Sequence, residues 1–177
     1  MKYILDSFVW VEYFHPKYNL EKDIKSIIGT SAREYLMTPD IVTHELASVY
    51  GSSGYSTSDF QNDLEVIRTL SLIENCQHAD SVRAGRLRKH LAPRIKHGNN
   101  MISWIDCLLI CMCARIDKNE GQGVGDLKVL TGDPHFDMIA NPSRFGLDSF
   151  IASISSKVGC DLRSRIEFLQ TGKAGDS

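Results

Sequence analysis

No apolar run in the 177 residues approaches the roughly 20 needed to span a bilayer; the longest covers only residues 107–114. No Walker loop, GxGxxG or GxSxG occurs, so the residues for nucleotide cradling and serine hydrolysis are missing. No CxxC pair occurs either. Cys107, Cys111 and Cys113 have no nearby histidine to complete a tetrahedral metal site. On a helix, Cys107 and Cys111 share a face while Cys113 points away, and the three read as small buried hydrophobes. The N-terminal MKYILD carries one lysine and a short apolar run that stops at Asp6, which is not a signal peptide. Together with five cysteines that form no framework, these absences predict a soluble, cytoplasmic protein with no membrane partner. A formal charge of −2 supplies no global attraction for nucleic acid, so any such binding must come from a local patch.

What is present is a chain long enough for one domain with a real core, 42% hydrophobic. Short apolar runs at 2–5, 35–38, 71–74 and 128–131 read as strands. Between them, helical spacing predicts helices over 8–14, 20–28, 41–50, 58–70, 79–91 and 103–116. The helix over 103–116 is apolar almost all round, as expected of one buried against a sheet. Residues 51–54 (GSSG) predict a turn, and 117–126, with three glycines, a loop. Strands alternating with helices predict an α/β fold with a parallel sheet covered on both faces.

In open parallel sheets, ligand sites lie beyond the carboxyl ends of the strands. Asp6 ends the first strand, and Asp133, in LTGDPHFD, ends the last. Glu45 lies one turn into the helix after the second strand, and Asp106 in the first turn of the buried helix. Each acid also has a structural role open to it. Asp6 fits an Asx turn, Glu45 an exposed helix position, and Ser103 with Asp106 a capping box. Asp133 fits an N-cap followed by Pro134. Asp106 stands out, because its helix is too apolar for a casual charge. Four carboxylates in one pocket repel unless a cation is present, and hard oxygen ligands suit Mg²⁺ or Mn²⁺. His15, His44 and His135 are further candidates, the last two adjoining acids, although metal-assisted hydrolysis requires no histidine base.

In order, YILDSFVWVEYF, THELASVY, MISWIDCLLICMCARI and LTGDPHFD resemble the four motif blocks of the PIN-domain family, most closely its VapC-type toxin branch. The resemblance implies a three-layer sandwich around a central parallel sheet. It implies that Asp6, Glu45, Asp106 and Asp133 are the acidic, metal-binding and catalytic positions, supported by Ser7 and Thr131, with Asp137 as an outer acid. It further implies a single-stranded-RNA endonuclease dependent on Mg²⁺ or Mn²⁺, leaving 5′-phosphate and 3′-hydroxyl ends, often the toxic partner of an antitoxin protein. Three features depart from the pattern. Cys107 replaces the small residue after the third acid, 117–126 is longer than usual, and the chain runs past the usual family end near Phe150. The expected division is a nuclease domain over 1–150 and an extension over 151–177, with a helix over about 161–169 started by Asp161 and a flexible tail from Thr171. The rival function is a catalytically silent binding module of the same fold, in RNA processing or ribosome assembly.

From Ser81 to Ile105 there is no Asp or Glu, while six Lys or Arg occur. Arg83, Arg86 and His90 share a helical face and form a candidate phosphate track toward the acids, a surface an acidic antitoxin segment can also use. The alternative is a solvated helix face. Trp10, Tyr13 and Phe14 can stack bases, but their helical spacing favours core packing or the seam of a homodimer.

Overall fold

A computed structural model describes residues 1–119 and 127–170. Its strands and helices follow in the order β1 (Lys2–Leu5), α1 (Ser7–Phe14), α2 (Glu21–Thr30), β2 (Leu36–Pro39), α3 (Asp40–Ser53), α4 (Thr57–Leu70), β3 (Leu72–Glu74) and α5 (His78–Leu91). There follow β4 (Lys96–His97), β5 (Asn100–Met101), α6 (Trp104–Asn119), β6 (Leu127–Thr131), α7 (Pro134–Ala140), α8 (Asp148–Val158) and β7 (Ile166–Phe168). Five strands form one sheet in the order β3-β2-β1-β6-β7, every neighbouring pair parallel. Strands β4 and β5 form a small antiparallel hairpin.

The sheet is covered on both faces. All four residues of β2 are buried, as are four of the five in β6, a pattern a one-sided sheet cannot produce. Helix α1 packs on α2 and α3, and α3 on α4; α5 packs on α6 and α8. The result is the expected three-layer α/β sandwich. Helix α6 is buried through seven consecutive residues, Cys107 to Cys113, and the Cys113 thiol donates to the Leu127 carbonyl (3.0 Å), tying the helix to β6. Burial pushes the thiols of Cys111 and Cys113 up to about 12 and that of Cys107 higher still, so all three stay protonated, as small hydrophobes do. Trp10 is fully buried, stacks on Phe14 and donates its indole N–H to Thr38 (3.1 Å), which makes it a core residue. Among the described residues, no helix is long and apolar enough to cross a membrane.

The structure corrects three expectations. The turn over 51–54 is the last turn of α3, ended by Gly54 in the left-handed region (φ 78°). One interior glycine costs a helix only about 1 kcal/mol, too little to end α3 early. Residues 117–119, expected in a loop, are helical, because α6 runs on to Asn119; buried Asp117 accepts from Arg165 (2.6 Å). The rest of that loop, 120–126, and the tail from Thr171 lie outside the described residues. The helix expected over about 161–169 is a 3-10 turn, Arg163–Arg165, followed by β7. Asp161 accepts from the Arg163 amide but the N-cap position of the turn is Leu162, and the chain then pairs Ile166 with Val129 and Phe168 with Thr131. An open edge on β6 and the Arg165–Asp117 ion pair outweigh the local helical spacing. Helix α8 lies outside the expected elements, although Ile151 and Ile154 bury at helical spacing.

Candidate active site

The sheet order places the carboxyl ends of β1 and β6 side by side, and two of the four acids follow directly. Asp6 caps α1, its Oδ1 accepting from the Ser7 amide (2.6 Å) and, more distantly, the Ser7 hydroxyl (3.3 Å). Its Oδ2 accepts from the Thr131 hydroxyl at 2.7 Å, across 125 residues of sequence. The same Thr131 oxygen accepts from the Asp133 amide (3.0 Å). Thr131 is fully buried, so one hydroxyl fixes the relation of two acids.

Asp133 caps α7, its Oδ1 accepting from the His135 amide at 2.8 Å. The His135 ring joins it: Nδ1 lies 3.0 Å from that oxygen, and Nε2 lies 3.0 Å from the Asn100 carbonyl. Both partners are acceptors, so both ring nitrogens carry protons and the ring is an imidazolium. The hydrogen bond to Asp133 is the main reason its pKa rises to about 8. Burial works to raise Asp133, but the hydrogen bonds from His135 outweigh it and hold the carboxyl below its ordinary value. Asp106 forms the expected capping box: the Ser103 amide donates to its Oδ2 (2.7 Å), and its own amide donates to the Ser103 hydroxyl (2.9 Å). Helix α3 carries Glu45, whose Oε2 is buried without a hydrogen-bond partner.

All four acids line one pocket of about 690 Å³, together with Ser7, Phe8, Tyr18, Arg88, Ser103 and His135. Capping and pocket lining are therefore not alternatives here; Asp6, Asp106 and Asp133 do both. The electrostatics register the crowding. Burial, then the charge of Asp106 and, more weakly, Glu45 and Asp133, drive Asp6 up to about 8 against the Thr131 hydrogen bond. Burial also raises Glu45 and Asp106, with the charge of Asp133 adding to both. Among the described residues, no three His, Cys, Asp or Glu side chains stand close enough to grip one ion. The acids share a pocket without forming a closed cage. An all-oxygen donor set, a buried unpaired carboxylate oxygen and mutual repulsion nonetheless fit a hard divalent cation.

Other sequence candidates lie elsewhere. Asp137 accepts from Asn141 (2.8 Å) and pairs with Arg144 (3.1 Å), apart from the pocket lining. Arg83, Arg86 and His90 line a separate groove of about 430 Å³ with Lys118 and Lys157, near the end of α8. His15 hydrogen-bonds the Tyr50 hydroxyl (2.9 Å), and His44 is exposed. Arg88 was missed. It belongs to the same acid-free stretch but sits on the other side of α5, donating to the Ile102 carbonyl (3.1 Å) at the pocket. Its position two residues from Arg86 on a helix carried the signal, since such neighbours face different ways.

Comparison with known proteins bears on the fold and the family. Among solved structures, the chain resembles VapC20 of Mycobacterium tuberculosis, described as a Sarcin-Ricin loop cleaving toxin. The identity is 12% over 75% of this chain and 92% of that one, with a TM-score of 0.51, a likeness of fold. No curated protein matches the sequence. The family model of the PIN domain matches residues 3–142, a span that contains all four pocket acids, and the chain belongs to the PIN-domain family.

Proposed function

We propose that this protein is a metal-dependent endoribonuclease cleaving single-stranded RNA, the toxin of a toxin–antitoxin pair. One observation carries the reading: four carboxylates line one pocket, where burial and mutual charge drive Asp6 up to about 8. The partnerless Oε2 of Glu45 adds to a deficit of positive charge that suits Mg²⁺ or Mn²⁺. Asp6, Glu45, Asp106 and Asp133 would hold the ion. When bound, such an ion supplies a water of lowered pKa and neutralises the oxygens of an in-line phosphoryl displacement.

The chain's own residues orient the acids. Thr131 and Ser7 hold Asp6, Ser103 holds Asp106, and the His135 imidazolium holds Asp133. Arg88, on the pocket wall, offers positive charge to an entering phosphate. Attack of water in line with the bond from phosphorus to the 3′ oxygen breaks that bond, the oxygen leaving as the 3′-hydroxyl, and gives the 5′-phosphate and 3′-hydroxyl ends that the family resemblance implies. The fold shared with VapC20 supports the toxin branch, with an antitoxin partner, a homodimer and a cytoplasmic setting as parts of the same proposal.

The binding-module reading has one observation in its favour, the absence of a preformed three-ligand cage among the described residues. Incubating a mixed RNA pool with Mn²⁺, Mg²⁺ or EDTA separates the two. Cleavage with either ion and none in EDTA is expected. Intact RNA under all three conditions leaves the binding module standing.

A further inference from the structure

The acid pocket has an aromatic wall that metal chemistry does not use. Phe8, in the first turn of α1, and Tyr18, in the segment between α1 and α2, both line the pocket, their rings stacked at 5.6 Å with 25° between planes. Phe8 is half-buried, whereas Tyr18 is 50% exposed. Tyr18, backed by Phe8, thus stands on the pocket wall with about half of its surface open to solvent.

Two independent features hold this pair in place. Glu12 is 1% exposed, and its Oε1 accepts from the backbone amides of Lys17 (2.8 Å) and Tyr18 (2.7 Å). A buried carboxylate is a costly way to fix a surface segment unless the position of that segment matters. Behind Phe8 stands Gly132, where a Cβ would meet the Phe8 ring at 2.4 Å; only glycine lets the ring lie against the turn that presents Asp133. The aromatic wall and the acids are thus built against each other.

We infer that Tyr18, backed by Phe8, is a platform on which a nucleobase of single-stranded RNA stacks beside the acid pocket. The inference rests on the ribonuclease reading for the identity of the ligand. Every base has a π-face, so such a platform holds a strand without selecting sequence, and it rejects paired bases that cannot splay out. Lys17, next to Tyr18 and also on the pocket wall, adds positive charge for the backbone.

The test compares binding of a short labelled single-stranded RNA with that of a base-free sugar–phosphate chain of equal length and charge, by fluorescence anisotropy in EDTA. Wild-type protein should prefer the RNA by about tenfold, the scale of one base–aromatic stack. Tyr18→Phe should keep that preference. Tyr18→Ala and Tyr18→Leu should abolish it while leaving affinity for the base-free chain unchanged, because the charged groups are untouched. Tyr18→Leu still covers Phe8, so a merely structural cover predicts full preference in that variant; that result overturns the platform, as does equal binding of both ligands by wild type. The nuclease reading is judged separately by cleavage in Mn²⁺. A protein that cuts nothing yet shows the Tyr18-dependent preference refutes the nuclease and upholds the platform.

Discussion

Two regions concentrate like charge in this molecule, and they are built differently. In the acid pocket each of Asp6, Asp106 and Asp133 is tied by hydrogen bonds to its own helix start, and Asp6 is only 4% exposed. In the groove near the end of α8, Arg83, Arg86, Lys118 and Lys157 are exposed and have no ion-pair partner among the described residues. Charges taken out of water interact strongly over short distances, so holding four carboxylates in one pocket must be compensated. Exposed cations keep their hydration and are screened by water and salt, so they interact only weakly. The pocket is therefore a site whose chemistry depends on individual atoms, and the groove a field whose effect is the sum of replaceable parts.

The largest expected effect is at the pocket. Asp133→Asn keeps the helix cap, since Asn and Asp cap about equally well, but removes the charge a divalent ion needs. The variant should fold normally and lose more than about 100-fold in Mn²⁺-dependent cleavage, beyond the loss typical of an outer metal-site residue. It should also lose most of the thermal stabilisation that Mn²⁺ gives the parent, because an ion bound only by the folded state raises stability by mass action. Wild-type cleavage by this variant would reduce Asp133 to a cap.

A smaller effect is expected one step back. Thr131→Val preserves shape but removes the hydroxyl shared by Asp6 and the Asp133 amide. It should cost about 1–3 kcal/mol of stability in urea titration. Cleavage should fall by about 10–100-fold, as for an outer-layer residue that orients metal-binding acids. Loss of stability without loss of rate would mean that the acids do not depend on this hydroxyl for their positions.

The smallest effect belongs to the groove. Arg83→Glu combined with Arg86→Glu should leave melting temperature unchanged and weaken RNA binding. The slope of log affinity against log salt should fall by about 1.4, because two cations no longer neutralise phosphates of the single strand. An unchanged slope makes this face merely solvated, and the contrast between site and field would then have only one member.

Much of this was legible along the chain, and the reason is range. Asp6, Asp106 and Asp133 each announce a helix start through residues one to three positions away, and α6 declares its burial by composition alone. A capping motif is complete within a single turn, so sequence inspection finds it. It is silent on whether the capping acid also faces a pocket. Arg83 and Arg86 illustrate the limit: the acid-free stretch is plain in the sequence, but which face of α5 turns toward Asp106 depends on how α5 packs on α6, and that packing selects Arg88.

Local chemistry thus accounts for strands, helices, caps and the buried character of α6, because those signals are carried by neighbours within a few residues. Tertiary pairing accounts for the rest. Leu162, Ile166 and Leu169 have helical spacing, yet the segment becomes β7 because β6 offers an edge that only the assembled sheet possesses. Thr131 reaches Asp6 across 125 residues because β1 and β6 are adjacent. No local preference encodes that adjacency; it is the outcome of burying both faces of one parallel sheet, and the pocket exists only where it brings the strand ends together.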